Sequence, residues 1–227
     1  MDLRAKDVAE LLQISESTLK NWLKAGKIPS YRLNAKEVRF SRMEIENWMI
    51  QNNRSREEFL GNQGKTAGSK PGIQHFSLYR SLHRGDVFVD VEGNTKEKLI
   101  CNATTAFADT LNVDAKILAE LLLGREELAP TALGHGIAIP HTREFLQKGP
   151  FDLIFVVYPK EGIEYRALDR KPVHVLFFLF ATTDKSHLHL LAKIAYLSNG
   201  EFFRAFLQKK PSKKALLDFV RDWESKI

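Results

Sequence analysis

Two apolar runs, Phe151–Tyr158 and Val173–Ala181, constrain this chain more than anything else in it. Each carries one polar residue near its start, Asp152 and His174, and is otherwise apolar or aromatic. A strand with one face in water alternates apolar and polar residues. A run without that alternation needs cover on both faces. Both runs have strand length and fall far short of the roughly 18 apolar residues that suggest a membrane span.

Helical patterns surround them. Val87–Val91 predicts a short strand. Asn94 with Glu97 three residues on predicts a capping box for a helix that buries Leu99, Ile100, Ala103, Phe107 and Leu111. Asp114 predicts the start of a second helix, which buries Ile117, Leu118, Leu121 and Leu122 and stops at Gly124, with Arg125 just past its end. Ser186 predicts the cap of a helix running to about Asn199, followed by helices near Glu201–Gln208 and Ser212–Trp223. Strands alternating with helices predict a layered α/β domain with helices on both faces of the sheet. With 44% hydrophobic residues, the chain can build such a core.

The chain divides into three zones: a helical module over 1–50, a polar glycine-bearing linker over 51–73 with a short helix near Ser55–Leu60, and a larger domain over 74–227. Net charge is +6, and its density is higher at the N-terminal end: residues 1–74 hold 13 Lys and Arg against 9 Asp and Glu. This favours an anionic partner. The single cysteine, Cys101, excludes an internal disulfide and any paired-cysteine metal site, and it reads as a packed apolar residue. The seven histidines show no metal-ligand spacing, so no metal and no cofactor are expected. Met1–Arg4 leads directly into an amphipathic helix with no signal peptide, which predicts a cytoplasmic protein without a membrane segment.

The candidate chemistry lies in Gly134-His135-Gly136-Ile137-Ala138-Ile139-Pro140-His141. A histidine after a rigid proline and a glycine-bearing run has backbone amides free to approach an anion. Arg125, sixteen residues upstream, supplies a guanidinium able to clamp phosphoryl oxygens. Together they predict a histidine that is itself phosphorylated. His135 and His189 read as surface residues, and His75, His83 and His174 carry no motif.

Several separated motifs occur in order: Arg125-Glu126, Thr131, Gly136 through His141, Gly162-Ile163, Pro172-Val173, His187-Leu188 and Leu191-Ala192. Over residues 75–227 they resemble the type-2 EIIA domains of the bacterial phosphotransferase system, the fructose/mannitol type that includes the nitrogen-regulatory PtsN group. The resemblance implies a mixed sheet flanked by helices. It also implies His141 as phosphoacceptor, Arg125 and His187 as its active-site partners, and Thr131 as a phosphate contact. The donor would be an HPr- or NPr-like phosphocarrier protein, and the recipient an EIIB or a regulatory target.

Residues 1–50 resemble excisionase/MerR-like winged helix-turn-helix modules. A helix over Lys6–Leu12 is followed by a second from Ser15 to about Ala25, a hairpin (Ile28–Leu33 with Val38–Phe40) and a third helix over Met43–Ile50. The hairpin turn Leu33–Glu37 lacks the glycine-rich basic turn common in such modules. The resemblance implies DNA binding through the second helix, with Ser17, Thr18, Lys20, Asn21 and Lys24 outward and Arg32 and Arg39 flanking from the wing. Dimerisation would be needed for useful specificity. The reading is a phosphotransferase-system regulator; the alternative is an EIIA phosphocarrier for sugar transport whose N-terminal module docks proteins.

Overall fold

The computed structural model describes residues 2–12, 14–32, 38–42, 44, 45, 48, 77–142 and 151–226. The hairpin turn at 33–37, the expected linker at 51–73 with its short helix, His75 and part of the third helix lie outside the described residues.

Strand β1 (Asp2–Arg4) opens the chain and is followed by helices α1 (Ala5–Leu12) and α2 (Glu16–Lys24). Strands β2 (Tyr31–Arg32) and β3 (Val38–Ser41) come next. The order β1-β3-β2 makes a small antiparallel sheet. Residues 2–4 are thus a strand, where the sequence reading expects a direct entry into helix. They pair with Arg39–Ser41, a partner that no local pattern reveals. Ser15 caps α2 by accepting from the Thr18 amide, and Gly26 leaves the helix at φ +64°. Arg42, Glu44, Ile45 and Trp48 have helical backbone. The Trp48 indole N–H donates to the Lys27 carbonyl (2.7 Å).

The larger domain begins with α3 (Ser77–Arg84) and β4 (Val87–Val91). Helices α4 (Lys96–Leu111) and α5 (Ala115–Leu128) follow, then the short strands β5 (Ala132–Gly134) and β6 (Ile137–Ala138). The long strands are β7 (Leu153–Pro159) and β8 (Val175–Phe180). Helices α6 (Asp184–Asn199), α7 (Glu201–Gln208) and α8 (Lys213–Glu224) complete it. The sheet order is β4-β7-β8-β6-β5. The β4/β7 and β6/β8 pairs are parallel, and β7/β8 and β5/β6 antiparallel, so the sheet is mixed.

The two apolar runs supply the central strands β7 and β8, which are buried at every position, while Phe151 ahead of β7 is exposed. Their alternate residues feed different layers. Leu153, Phe155 and Val157 with Leu176, Phe178 and Phe180 pack toward α4 and α5. Ile154, Val156 and Tyr158 with Val175, Phe177 and Leu179 pack toward α6, α7 and α8. Burying a Val, Leu, Ile or Phe is worth roughly 1.5–3 kcal/mol, so these strands drive the fold. On the first face Phe107 and Phe155 stack at 4.5 Å between ring centroids.

Helix α3, which the sequence reading did not assign, buries Leu78, Ser81 and Leu82 on one side. Its first amides are capped by the carboxylate of Glu224, 146 residues away, which accepts from the N–H groups of Leu78 (3.1 Å) and Tyr79 (2.9 Å). The buried Lys193 ammonium of α6 completes the cluster, donating to Glu224 (2.5 Å) and to Ser77 (3.0 Å). Burial pushes the Lys193 pKa down, opposed by Glu224. The packing of Gly85 explains its residue type: a Cβ there would lie 1.9 Å from the Ile154 carbonyl oxygen.

Candidate functional site

Helix α5 does not end at Gly124. It runs through to Leu128 and stops because Pro130 drives Ala129 into extended backbone (φ −165°, ψ 132°). Arg125 therefore lies in the last helical turn, 1% exposed, with its guanidinium donating to the Ala129 carbonyl (3.0 Å). Ile117, expected in the core, is exposed.

Its neighbour Glu126 does a second positioning task. The buried carboxylate accepts from the Thr131 amide (3.2 Å) and, in a short contact, from the Thr131 hydroxyl. The hydroxyl expected to hold phosphate is thus committed to Glu126, closing the bend between α5 and β5. The fully buried Tyr165 lies beside this pair. Burial first, then the Glu126 carboxylate, pushes its phenol pKa well up.

Thr131 in turn accepts from the Ile139 amide (3.1 Å), and the Ile139 carbonyl meets Nδ1 of His141 (2.8 Å). A ladder of hydrogen bonds so runs from the end of α5 to the candidate nucleophile. A carbonyl oxygen only accepts, so Nδ1 carries a proton, and in the tautomer this contact selects the lone pair lies on Nε2. The ring's backbone is held as well: the Leu179 amide donates to Pro140 O (3.0 Å), and His141 forms a parallel bridge to Leu179.

The turn that precedes this ladder is tightly wound. Gly134, His135 and Gly136 all have positive φ (+85°, +55° and +77°). A Cβ on Gly136 would strike the His174 ring at 2.0 Å, so glycine is needed there for space as well as conformation. His135 is half-buried in this turn, rather than a free surface residue, and its amide donates to Asp169 (2.7 Å). Burial opposes ionisation of Asp169, but the His135 and Lys171 amides outweigh it and hold the carboxyl pKa below its usual value. Burial pushes the His174 pKa down.

His187 arrives from α6. The cap of that helix is Thr183, not Ser186; Thr183 and Ser186 form a capping box, and His187 is the fourth helical residue. In the same way α4 is capped by Thr95 rather than Asn94. Asp152 fixes the start of α6 against the start of β7. Its Oδ1 accepts from the Thr182 amide (2.8 Å), the Thr182 hydroxyl (2.9 Å) and the Ser186 hydroxyl (2.9 Å). The result brings the His187 ring to 4.8 Å from the His141 ring, centroid to centroid, with planes at 66°. Asp152 and Glu126 hold these elements in place: Asp152 carries no motif, although it is the polar residue opening an apolar strand, and Glu126 stands in the Arg125-Glu126 motif with no role assigned by it. His141 and His187 are 1% and 2% exposed. His189 is also buried rather than exposed, on a helix against which α1 and α3 both pack.

In the N-terminal module Ser17, Lys20, Asn21 and Lys24 lie exposed along α2. Thr18 is half-buried and shares a hydroxyl contact with Ser15 (2.8 Å). Arg39 is half-buried on β3, and the side chain of Arg32 lies outside the described residues. Cys101 is exposed on α4, not packed. No helix among the described residues is long and apolar enough to cross a membrane, and no group of three or more His, Cys, Asp or Glu among them could hold a metal.

Comparison with known proteins places these features. Residues 80–223 match the family profile described as phosphoenolpyruvate-dependent sugar phosphotransferase system, EIIA 2, and residues 3–53 match a helix-turn-helix domain. A nitrogen regulatory protein of Pseudomonas aeruginosa is 32% identical over 148 residues, 64% of this chain and 95% of that protein. The fructose-specific EIIABC component of Bacillus subtilis is 31% identical over 143 residues, covering 61% of this chain but only 22% of the Bacillus protein. The crystal structure of the nitrogen regulatory protein IIA-Ntr from Neisseria meningitidis superposes with a TM-score of 0.54 at 26% identity, covering 62% of this chain and 92% of that one.

Proposed function

Since the chain belongs to the EIIA type-2 family of the phosphoenolpyruvate-dependent sugar phosphotransferase system and carries a helix-turn-helix domain, we propose that it is a cytoplasmic phosphocarrier-type regulator that accepts a phosphoryl group on His141. The observation that carries this reading is the tautomer lock: Ile139 O holds the Nδ1 proton, which leaves Nε2 nucleophilic beside His187. The donor is an HPr- or NPr-like phosphohistidine protein. The Nε2 lone pair attacks phosphorus in line, the new N–P bond forms as the donor's N–P bond breaks, and the electron pair returns to the donor imidazole. The transition state is loose, so positioning and charge stabilisation supply most of the catalysis.

Arg125 spreads the charge of the equatorial oxygens. His187, one turn into α6, orients the phosphoryl group near the positive end of that helix. Thr131 acts one step back, by holding Glu126 and the α5–β5 bend. The N-terminal module binds DNA through the exposed α2 face, with Lys20 and Lys24 on phosphates and Asn21 at a base edge; a homodimer would give it specificity. The attached helix-turn-helix domain supports regulation over sugar transport.

The test is acid-labile phosphate uptake from phosphorylated HPr or its nitrogen-branch counterpart. Uptake in the wild type and its loss in His141→Ala are expected; equal incorporation in both sinks the assignment. For the module, the affinity of the full chain for DNA should fall with salt at about 0.9 log unit per log unit for each phosphate neutralised. A salt-independent affinity argues against DNA.

A further inference from the structure

The docked N-terminal module lies against the helix that carries His187. Helix α6 is buried at five consecutive positions, 187 through 191. A helix lying on one sheet buries a single stripe, so continuous burial needs a second layer. Helix α1 packs against α6 and supplies part of that layer, while α3 packs against it as well. The apolar residues of the module, including Val8, Leu12, Leu19, Phe40 and Ile45, form one continuous cluster with Leu188, Leu191 and Ile194.

A second contact lies at the first residue of α6, one turn before His187. Arg42, just after β3, pairs with Asp184, the first residue of α6, with both side chains largely shielded (14% and 18% exposed). Asp184 stands three residues before His187 and therefore shares its face of the helix. With His141 and His187 1% and 2% exposed, the site is shut. An in-line donor must bring phosphorus to roughly 3–3.5 Å from the nitrogen. No protein bound outside can reach a ring so covered.

We infer that the N-terminal module is a lid on the phosphorylation site, held by the α1–α6 packing and latched by Arg42–Asp184, so that it and the phosphoryl donor compete for one face of α6. The functional consequence rests on His141 being the phosphoacceptor; the closure itself does not. In the docked state Ser17, Lys20, Asn21 and Lys24 remain outward. Closure therefore blocks phosphorylation while leaving the α2 face open to DNA. By linkage, whatever stabilises the docked form shifts the phosphorylation equilibrium away from the phosphorylated protein, and phosphorylation favours the undocked form by the same factor.

The experiment uses the full chain in three forms: wild type, Arg42→Glu, and the charge swap Arg42→Glu/Asp184→Arg. Each is treated with diethyl pyrocarbonate, and the modification of His141 and His187 is followed by peptide mass spectrometry against the exposed His83 as internal reference. An ion pair of this kind shifts a population by up to about 5-fold, so Arg42→Glu should label several-fold faster at both site histidines, and the swap should return to the wild-type rate. Phosphate uptake from the carrier should follow the same order. Equal labelling in all three forms, with circular dichroism unchanged, overturns the lid. Labelling that follows the latch while no form takes up phosphate keeps the lid and discards the phosphoacceptor reading.

Discussion

Replacing Thr131 with valine separates two roles that its position beside the site would otherwise confuse. Its hydroxyl donates to the buried Glu126 carboxylate, and both residues are at most 2% exposed. Valine keeps the shape and removes the donor. Hydrogen bonds to charged groups contribute about 1.5–3 kcal/mol, and a buried acceptor stripped of its donor recovers none of that from water. For a domain of this size 1 kcal/mol corresponds to about 2–4 °C, so Tm should fall by roughly 3–12 °C. Thr131→Ser keeps the hydroxyl and should restore most of the loss. Scanning calorimetry reads the effect, with phosphate uptake from a phosphorylated carrier measured alongside. Under this reasoning the valine variant loses stability, and uptake falls only as far as the α5–β5 bend lets Arg125 drift. An unchanged Tm with uptake reduced about 100–1,000-fold, the scale of losing a transition-state donor, would show that the hydroxyl serves phosphate and refute the positioning role.

Other consequences are equally direct. Glu224→Ala removes the carboxylate shared by Lys193 and the Leu78 and Tyr79 amides; a loss of about 3–5 kcal/mol in chemical denaturation is expected, with hydrogen exchange rising first in α3. Gly136→Ala should yield little folded protein or a Tm lowered by many degrees, since its Cβ would meet the His174 ring at 2.0 Å on a positive-φ backbone. Burial lowers the His174 pKa in the folded state, so the unfolded chain binds the proton more readily. Stability should be unaffected by this group above about pH 6.5 and should decline as pH falls below it; His174→Gln should flatten that decline between neutral and mildly acid denaturation curves. Asp152→Ala, which frees Thr182 and Ser186, should slow phosphate uptake by letting the start of α6, and His187 with it, shift.

What the sequence disclosed followed from local physics. The two apolar runs could only be covered strands, and they are the middle of the sheet. Asp114 and Ser212 cap helices as their chemistry suggests. The misreadings have physical causes. Gly124 stood where a helix could stop, but no left-handed residue was needed there, and Pro130 set the end instead. Ser186 has a capping side chain, but Thr183 three residues earlier takes the cap and Ser186 closes the capping box from N3. Helix α3 and strand β1 depend on partners far along the chain. His189 reads as an outward residue, yet it is buried on α6, a helix against which both α1 and α3 pack. Thr131, which the resemblance marks as a phosphate contact, gives its hydroxyl to Glu126, a bond that only the folded chain reveals.

The clasp of Glu224 on α3 orders the events of biosynthesis. The sheet, the glycine turn and both site histidines leave the ribosome before α8 does, yet the amides at the start of α3 and the ammonium in α6 have no carboxylate until that last helix emerges. A nascent chain can thus assemble its helix-turn-helix module early, while the larger domain waits to be locked. Truncations that spare every residue of the site but remove α8 should emerge as chaperone clients rather than as active fragments.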